Sequence, residues 1–196
     1  LGVFAPDYRL APETPAPGQL QDALVAWDAV LARGYAPRNV ILAGDSAGGG
    51  LALVLLSELC RRATPPAALV ALSPWTDLTG SGASLSENQR SDPLLPSERL
   101  AHLTDMVLQG REAALPSVSP LFAEFHDPPP VMIQFSEDEI LRDDSLRMAE
   151  RLRHFGGRVE LDAWRGTPHV WSLFHGFLPE ADTALERIAG FMRRLS

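Results

Sequence analysis

Residues 39–50 read NVILAGDSAGGG and combine a strand pattern with the start of a helix. Its first five residues form a short apolar run that is typical of a buried strand, and residues 46–62 have the composition of a helix. Between them lies the pattern Gly-x-Ser-x-Gly, which presents a serine on a tight turn from strand to helix. Small residues are needed there because bulky side chains at Gly44 and Gly48 would clash. Ser46 is therefore our candidate nucleophile.

Short apolar runs recur on both sides of this stretch and alternate with helical patterns. The runs are nearly continuous rather than alternating, which favours a parallel sheet that is covered on both faces. We therefore predict an α/β fold with a mostly parallel sheet and helices on both faces. The predicted strands are residues 1–6, 39–43, 67–72, 131–135 and 159–164, and the predicted helices are residues 19–33, 46–62, 97–108, 144–155 and 179–195.

The length of 196 residues is typical of one domain, and we interpret residues 1–196 as a single domain. Residues 76–120 contain no strand pattern, although one helix is predicted within them. A compact sheet rarely needs so long a connection. We therefore expect residues 79–120 to form a lid or insertion over the site.

The turn at Ser46 also predicts where negative charge is stabilised. The first N–H groups of a helix are free and its dipole is positive there, so Ala47 N–H is the candidate oxyanion donor.

A hydroxyl nucleophile needs a base, which on this topology follows the last strand and comes after the acid. Of the five histidines, His169 directly follows the predicted strand 159–164, at the sheet edge where such sites lie. His175 is the second choice.

The acid is expected after the predicted strand 131–135, where it would accept the ring N–H of His169 and stabilise the imidazolium. Four acidic residues follow that strand: Glu137, Asp138, Glu139 and Asp143. Asp143 and Asp144 match the N-terminal cap of the next helix, which is a structural role. The choice then lies between Asp138 and Glu139, and spacing alone does not separate them.

Composition excludes several other classes of protein. All 17 basic residues are arginine, which excludes a lysine Schiff base and a P-loop lysine. The net charge of -8 and the absence of a basic run argue against a nucleic-acid partner. One cysteine, Cys60, permits neither an internal disulfide nor a cysteine metal cluster. No apolar run approaches the ~18 residues of a membrane span, and we expect a cytoplasmic location.

Three motifs resemble those of a known family. Residues 8–13 (YRLAPE), 44–49 (GDSAGG) and 73–78 (SPWTDL) are similar to motifs of the hormone-sensitive-lipase-like esterases, the family IV bacterial lipolytic enzymes of the α/β-hydrolase superfamily. The similarity covers essentially the whole chain. It implies a carboxylesterase with a Ser-acid-His triad, an acyl-enzyme intermediate and no metal or cofactor. The implied substrates are small esters with short- to medium-chain acyl groups, and homodimerisation stays open.

The resemblance assigns residues by motif. Ser46 corresponds to the nucleophile and His169 to the base. The family's acid is usually the first residue of Asp-Pro-Leu-x-Asp, and Leu141 and Asp143 match the later positions of that motif. Glu139 then stands in the acid's place, thirty residues before His169. Asp138 is one residue out of this register and remains the alternative acid.

The sequence also departs from the family. The family carries a His-Gly-Gly oxyanion motif well before YRLAPE, whereas only seven residues precede Tyr8 here. The chain therefore matches the C-terminal two-thirds of the catalytic domain, without the first strands and the oxyanion loop. We expect it to be less stable or less active alone than with an upstream extension, and an inactive fragment is one alternative. The other is a receptor-like binding protein, as in the plant gibberellin receptors, but these lack the histidine that His169 retains.

Overall fold

The computed structural model describes residues 2–195, and at its centre four parallel strands form one sheet in chain order. The strands are β1 (Ile41–Asp45), β2 (Ala68–Leu72), β3 (Val131–Ser136) and β4 (Val159–Trp164). The helices are α1 (Gly18–Ala32), α2 (Ser46–Arg61), α3 (Ser84–Glu87), α4 (Ser97–Leu108), α5 (Arg142–His154) and α6 (Pro179–Arg193), and short 3-10 turns cover Pro37–Asn39, Pro120–Phe122 and Trp171–Phe174.

Apolar side chains of the two central strands point alternately to the two faces of the sheet. Leu69 and Ile133 pack with residues of α2 and α5 on one face. Val70 and Met132 pack against Ile188 of α6 on the other face. The predicted α/β fold, a parallel sheet covered on both faces, is therefore confirmed. Because all four strands run the same way, the loops that follow them emerge at one edge of the sheet.

The prediction of a strand at residues 1–6 is wrong for residues 2–6, which form no strand. Leu1 lies outside the described residues. Val3 is 94% exposed and Phe4 is 46% exposed. An apolar run becomes a strand only when a neighbouring strand supplies hydrogen bonds, and the described sheet places β1 at its edge with residues 2–6 unpaired.

The strand before the nucleophile is shifted by two residues from the prediction, to Ile41–Asp45. The chain enters it through the turn Pro37–Asn39, which occupies the predicted start. At the other end, pairing continues until Asp45 lies opposite Leu72. Tertiary pairing therefore extends the strand through Gly44, although glycine is a poor strand former.

The segment 79–120 contains α3 and α4 and no strand. Two of its side chains tie it to the loop after β3. The Asn88 side-chain amide donates to the carbonyl of Glu139 at 2.8 Å, and the Asp92 carboxylate accepts the N–H of Ile140 at 2.9 Å. The segment is thus attached to the loop that carries the candidate acid, and its role as a lid stays a prediction.

Among residues 2–195 no helix has the length and apolar character needed to cross a membrane.

The prediction that Asp143 and Asp144 cap a helix is wrong, because α5 begins at Arg142 and neither residue precedes it. Asp144 is instead 2% exposed and points to the loop after β2. Its carboxylate accepts the N–H groups of Thr76 at 2.6 Å and Asp77 at 2.9 Å. This carboxylate therefore fastens the loop after β2 to the start of α5.

The environment of Asp144 disfavours its ionised form. Burial raises the pKa of Asp144 to about 7, and the nearby Asp77 carboxylate adds to the increase, although the N–H groups of Thr76 and Asp77 oppose it. Burial acts on Asp77 in the same direction, but hydrogen bonds from Ser81, Thr79 and Arg147 hold its pKa below the usual value. Because the folded chain binds the Asp144 proton more tightly than the unfolded chain, stability falls as pH rises towards 7.

Replacing Asp144 with Asn should make the free energy of unfolding less dependent on pH. The folded pKa is about 7, so ionisation of Asp144 inside the fold removes on the order of 2 kcal/mol of stability between about pH 5 and pH 8. The asparagine amide can still accept both N–H groups but does not titrate. Urea unfolding at the two pH values measures the slope, and Asp105→Asn on the exposed face of α4 controls for the loss of one negative charge. Equal slopes for Asp144→Asn and the parent chain would contradict this assignment.

Candidate active site

The turn between β1 and α2 holds Ser46 in a strained conformation. Its φ is +51°, in the left-handed region that side-chain-bearing residues seldom adopt. At Gly44 an added methyl group would lie 2.3 Å from the carbonyl oxygen of Gly48, which no structure tolerates. At Gly48 itself a methyl group would meet the Tyr8 hydroxyl at 3.7 Å, an ordinary contact. The steric requirement for glycine therefore falls on Gly44, where the backbone of Gly48 passes closest.

Ser46 is the first residue of α2, and Ala47 follows it in the first turn. The first N–H groups of a helix have no partner within the helix, so they are available to a bound anion or oxyanion. Ala47 is exposed and Ser46 is half-buried. The turn therefore presents a hydroxyl and a free helix terminus at the carboxyl edge of the sheet.

The loops after β3 and β4 bring Glu139 and His169 together. The Nδ1 atom of His169 lies 2.7 Å from a carboxylate oxygen of Glu139. Glu139 is 1% exposed and His169 is 8% exposed, so the contact is shielded from water. Burial raises the pKa of Glu139, while the hydrogen bond and the charge of His169 oppose the increase.

The structure places Asp138, the alternative acid, elsewhere. Its carboxylate accepts the N–H of Gly166 at 2.6 Å, at an exposed position. It thereby links the loops after β3 and β4 without touching the imidazole ring. His175, the second choice for the base, pairs with Asp182 at the surface.

The second ring nitrogen of His169 has no hydrogen-bond partner among residues 2–195. With Glu139 ionised and the imidazole neutral, Nδ1 donates to Glu139, and Nε2 keeps a lone pair that can accept a proton. Nε2 is buried, and no residue between 2 and 195 is hydrogen-bonded to it. Ser46 Oγ and His169 Nε2 therefore do not form a hydrogen bond in this structure. Such contacts are often long without substrate and tighten when it binds.

One short segment after β2 contacts both sides of the site. The N–H of Trp75 donates to the carbonyl of Ser46 at 3.0 Å. The N–H of Val170, next to His169, donates to Ser73 Oγ at 3.3 Å. The turn at Ser46, here called the nucleophile turn because Ser46 is the candidate nucleophile, is thus bonded to residues 73–75. The loop that carries His169, here called the histidine loop, is bonded to the same residues. Sequence reasoning missed Ser73, although its place directly after a central strand and at the start of SPWTDL was the available signal.

A cavity of about 280 Å³ opens beside the nucleophile turn. Its lining includes one face of α2, formed by Ala47, Gly50, Leu51 and Val54, together with Trp75 and Val118. Most of this lining is apolar. The cavity therefore offers room for a small apolar group next to the N–H of Ala47.

The chain is similar to known proteins over most of its length. A family model described as alpha/beta hydrolase fold matches residues 1–173. An acetyl-hydrolase of Streptomyces hygroscopicus is 37% identical over 97% of this chain and 64% of its own length. An esterase of Acinetobacter venetianus is 36% identical over 98% of this chain and 64% of its own length. The chain thus spans slightly less than two thirds of these relatives.

Solved structures show the same relation. A crystal structure of an esterase from the bacterial hormone-sensitive lipase family is 40% identical, with a TM-score of 0.93 over 96% of this chain and 64% of that one. A hormone-sensitive lipase from a metagenome library is 34% identical, with a TM-score of 0.92 over 97% of this chain. The resemblance inferred from YRLAPE, GDSAGG and SPWTDL is confirmed, and the chain belongs to the alpha/beta hydrolase fold family.

Proposed function

We propose that the protein containing this chain is a carboxylic ester hydrolase that acts through Ser46, Glu139 and His169. The observation that carries the proposal is the buried contact between Glu139 and His169 at the sheet edge where Ser46 is presented. The relatives named above as an esterase and an acetyl-hydrolase support the reaction class. The contact also favours Glu139 over Asp138 as the acid.

The reaction proceeds in two acyl-transfer steps. Nε2 of His169 takes the proton of Ser46 as Oγ attacks the ester carbonyl, and the Glu139 carboxylate stabilises the imidazolium. The N–H of Ala47 donates to the tetrahedral oxyanion. The imidazolium then protonates the leaving alcohol, which departs and leaves the acyl group on Ser46. Water attacks this acyl-enzyme as His169 takes its proton, and the imidazolium then returns a proton to Ser46 Oγ as the carboxylic acid product departs.

The cavity beside Ala47 is the proposed acyl site. It adjoins the residue whose N–H would hold the oxyanion, so an acyl chain bound there extends from the carbonyl that Ser46 attacks. Its volume of about 280 Å³ lies just below the ~300–1,000 Å³ usual for ligand pockets. This size supports short- to medium-chain acyl groups as substrates.

Ser46→Ala should abolish hydrolysis of p-nitrophenyl butanoate, because the variant lacks the attacking oxygen. The measurement is initial velocity with the protein that contains this chain. A fluorophosphonate probe should label the parent protein but not the variant, which separates an esterase from a receptor-like binding protein. Ester hydrolysis by the Ser46→Ala variant would contradict the proposal. So would a parent protein that neither reacts with the probe nor hydrolyses the ester.

Glu139→Gln and Asp138→Asn form a matched pair that tests the acid. Glutamine cannot stabilise the imidazolium, so kcat should fall by about 10²–10⁴-fold. Asparagine at 138 can still accept the N–H of Gly166, and kcat should stay within about twofold of the parent, as for most surface substitutions. The reverse order of effects would assign the acid to Asp138.

Leu51→Trp tests the acyl site, because a larger side chain on α2 would fill the cavity. The kcat/KM for p-nitrophenyl octanoate, relative to the acetate ester, should fall about tenfold or more. Leu146→Trp makes the same change on α5, outside the cavity lining, and should leave this ratio unaltered. An unaltered ratio in Leu51→Trp would show that the acyl chain binds elsewhere.

A further inference from the structure

Ser73 has no part in the proposed reaction, yet it is held in an unusual way. It follows β2 directly and is fully buried. Its φ is +45°, in the left-handed region. Its N–H donates to the carbonyl of Gln134 on β3 at 2.7 Å, which fixes its backbone against the neighbouring strand. A residue other than glycine keeps such a conformation only where its surroundings enforce it.

The Ser73 hydroxyl supports the loop that carries the base. Ser73 Oγ accepts the N–H of Val170, the residue after His169. Val170 also has a left-handed backbone, with φ +49°, which is especially unfavourable for a β-branched residue. Val170 is 4% exposed, so water is a poor substitute partner for its N–H. The hydroxyl therefore stabilises the turn that immediately follows the imidazole.

The same side chain also influences the candidate acid. The Ser73 side chain lowers the pKa of Glu139 and so opposes the effect of burial. A serine hydroxyl has one hydrogen to donate and lone pairs to accept with. Ser73 can therefore direct its hydrogen towards the Glu139 carboxylate while it accepts from Val170.

We propose that Ser73 is a positioning residue that keeps the Glu139 carboxylate and the His169 ring aligned for proton transfer. The hydroxyl is bonded to the backbone next to His169, and its own backbone is anchored to β3. Two residues later, Trp75 bonds to the carbonyl of Ser46, so the same segment also fixes the nucleophile turn. The kinetic part of this inference rests on the proposed esterase function.

Ser73→Ala should lower kcat and leave KM nearly unchanged, because Ser73 acts on the acid and the base rather than on the substrate. Loss of the hydroxyl leaves the buried N–H of Val170 without its partner, and we expect a fall in kcat of about 10- to 100-fold. Ser73→Gly is the second variant, since glycine adopts φ +45° without strain and should fold even if alanine does not. Both lack the hydroxyl, so both should lose kcat to a similar degree.

Ser119→Ala is the matched control. Ser119 is also fully buried, and its hydroxyl likewise accepts a backbone N–H, from Leu78 at 2.9 Å. It donates to the carbonyl of Ala113 at 2.7 Å and contacts neither Glu139 nor the His169 loop. Its removal should lower the melting temperature without lowering kcat by more than about twofold. A kcat preserved in both Ser73 variants, or an equal loss in Ser119→Ala, would overturn the positioning role.

A spectroscopic measurement separates this inference from the proposed function. The His169 Nδ1 proton bonded to Glu139 should give a downfield proton resonance, assigned by its disappearance in His169→Gln. The resonance should shift or broaden in Ser73→Ala and stay in place in Ser119→Ala. An unchanged resonance in Ser73→Ala would overturn the inference even if the protein hydrolyses esters. A shifted resonance would support it even if Ser46→Ala showed that the esterase proposal fails.

Discussion

The parallel pairing of β1 to β4 is the constraint on which the site depends. Asp45 lies opposite Leu72, and Leu72 lies opposite Gln134. The strands β3 and β4 continue two residues beyond this level, to the pair Ser136 and Trp164. At ~3.3 Å per residue, their loops begin roughly 6–7 Å farther out than the nucleophile turn. The loops that carry Glu139 and His169 must therefore turn back towards the sheet, and the loop after β4 is held there by the hydrogen bond from the N–H of Val170 to Ser73 Oγ.

Three residues with strained backbones lie at the edge of the sheet where these loops turn back. Ser46, Ser73 and Val170 all have left-handed backbones, and they follow β1, β2 and β4 at the same edge. Each conformation is unfavourable alone, at roughly 1–3 kcal/mol. Hydrogen bonds hold them in place, from the N–H of Trp75 to the carbonyl of Ser46 and, in the interior, from the N–H of Val170 to Ser73 Oγ. The strained conformations at this edge lower the stability of the fold, but they fix the positions of side chains. The interiors of the strands are stabilised by ordinary apolar packing.

The sequence predicts local patterns well and the contacts between distant segments poorly. The helix 97–108 and the strand 159–164 have the predicted bounds because periodicity and flanking residues determine them. Local pattern predicts a strand at residues 1–6 but does not show whether a partner strand is present, and residues 2–6 have none. Helix-start signals are also local, and they predict a cap at Asp143 and Asp144, whereas the partners of Asp144 lie 68 and 67 residues away.

The choice of acid shows the same limit, since one residue of register separates Asp138 from Glu139. The longer side chain of Glu139 folds back over its own turn, and its carboxylate accepts the N–H of Ser136 at 3.3 Å as well as bonding His169. Its backbone carbonyl accepts from Asn88, on the segment 79–120. The position of Glu139, the candidate acid, is therefore set jointly by β3, by the histidine loop and by this inserted segment. A shift of Asn88 would move the Glu139 backbone and change its distance from the imidazole, so Asn88 influences the candidate acid although it does not line the cavity beside Ala47.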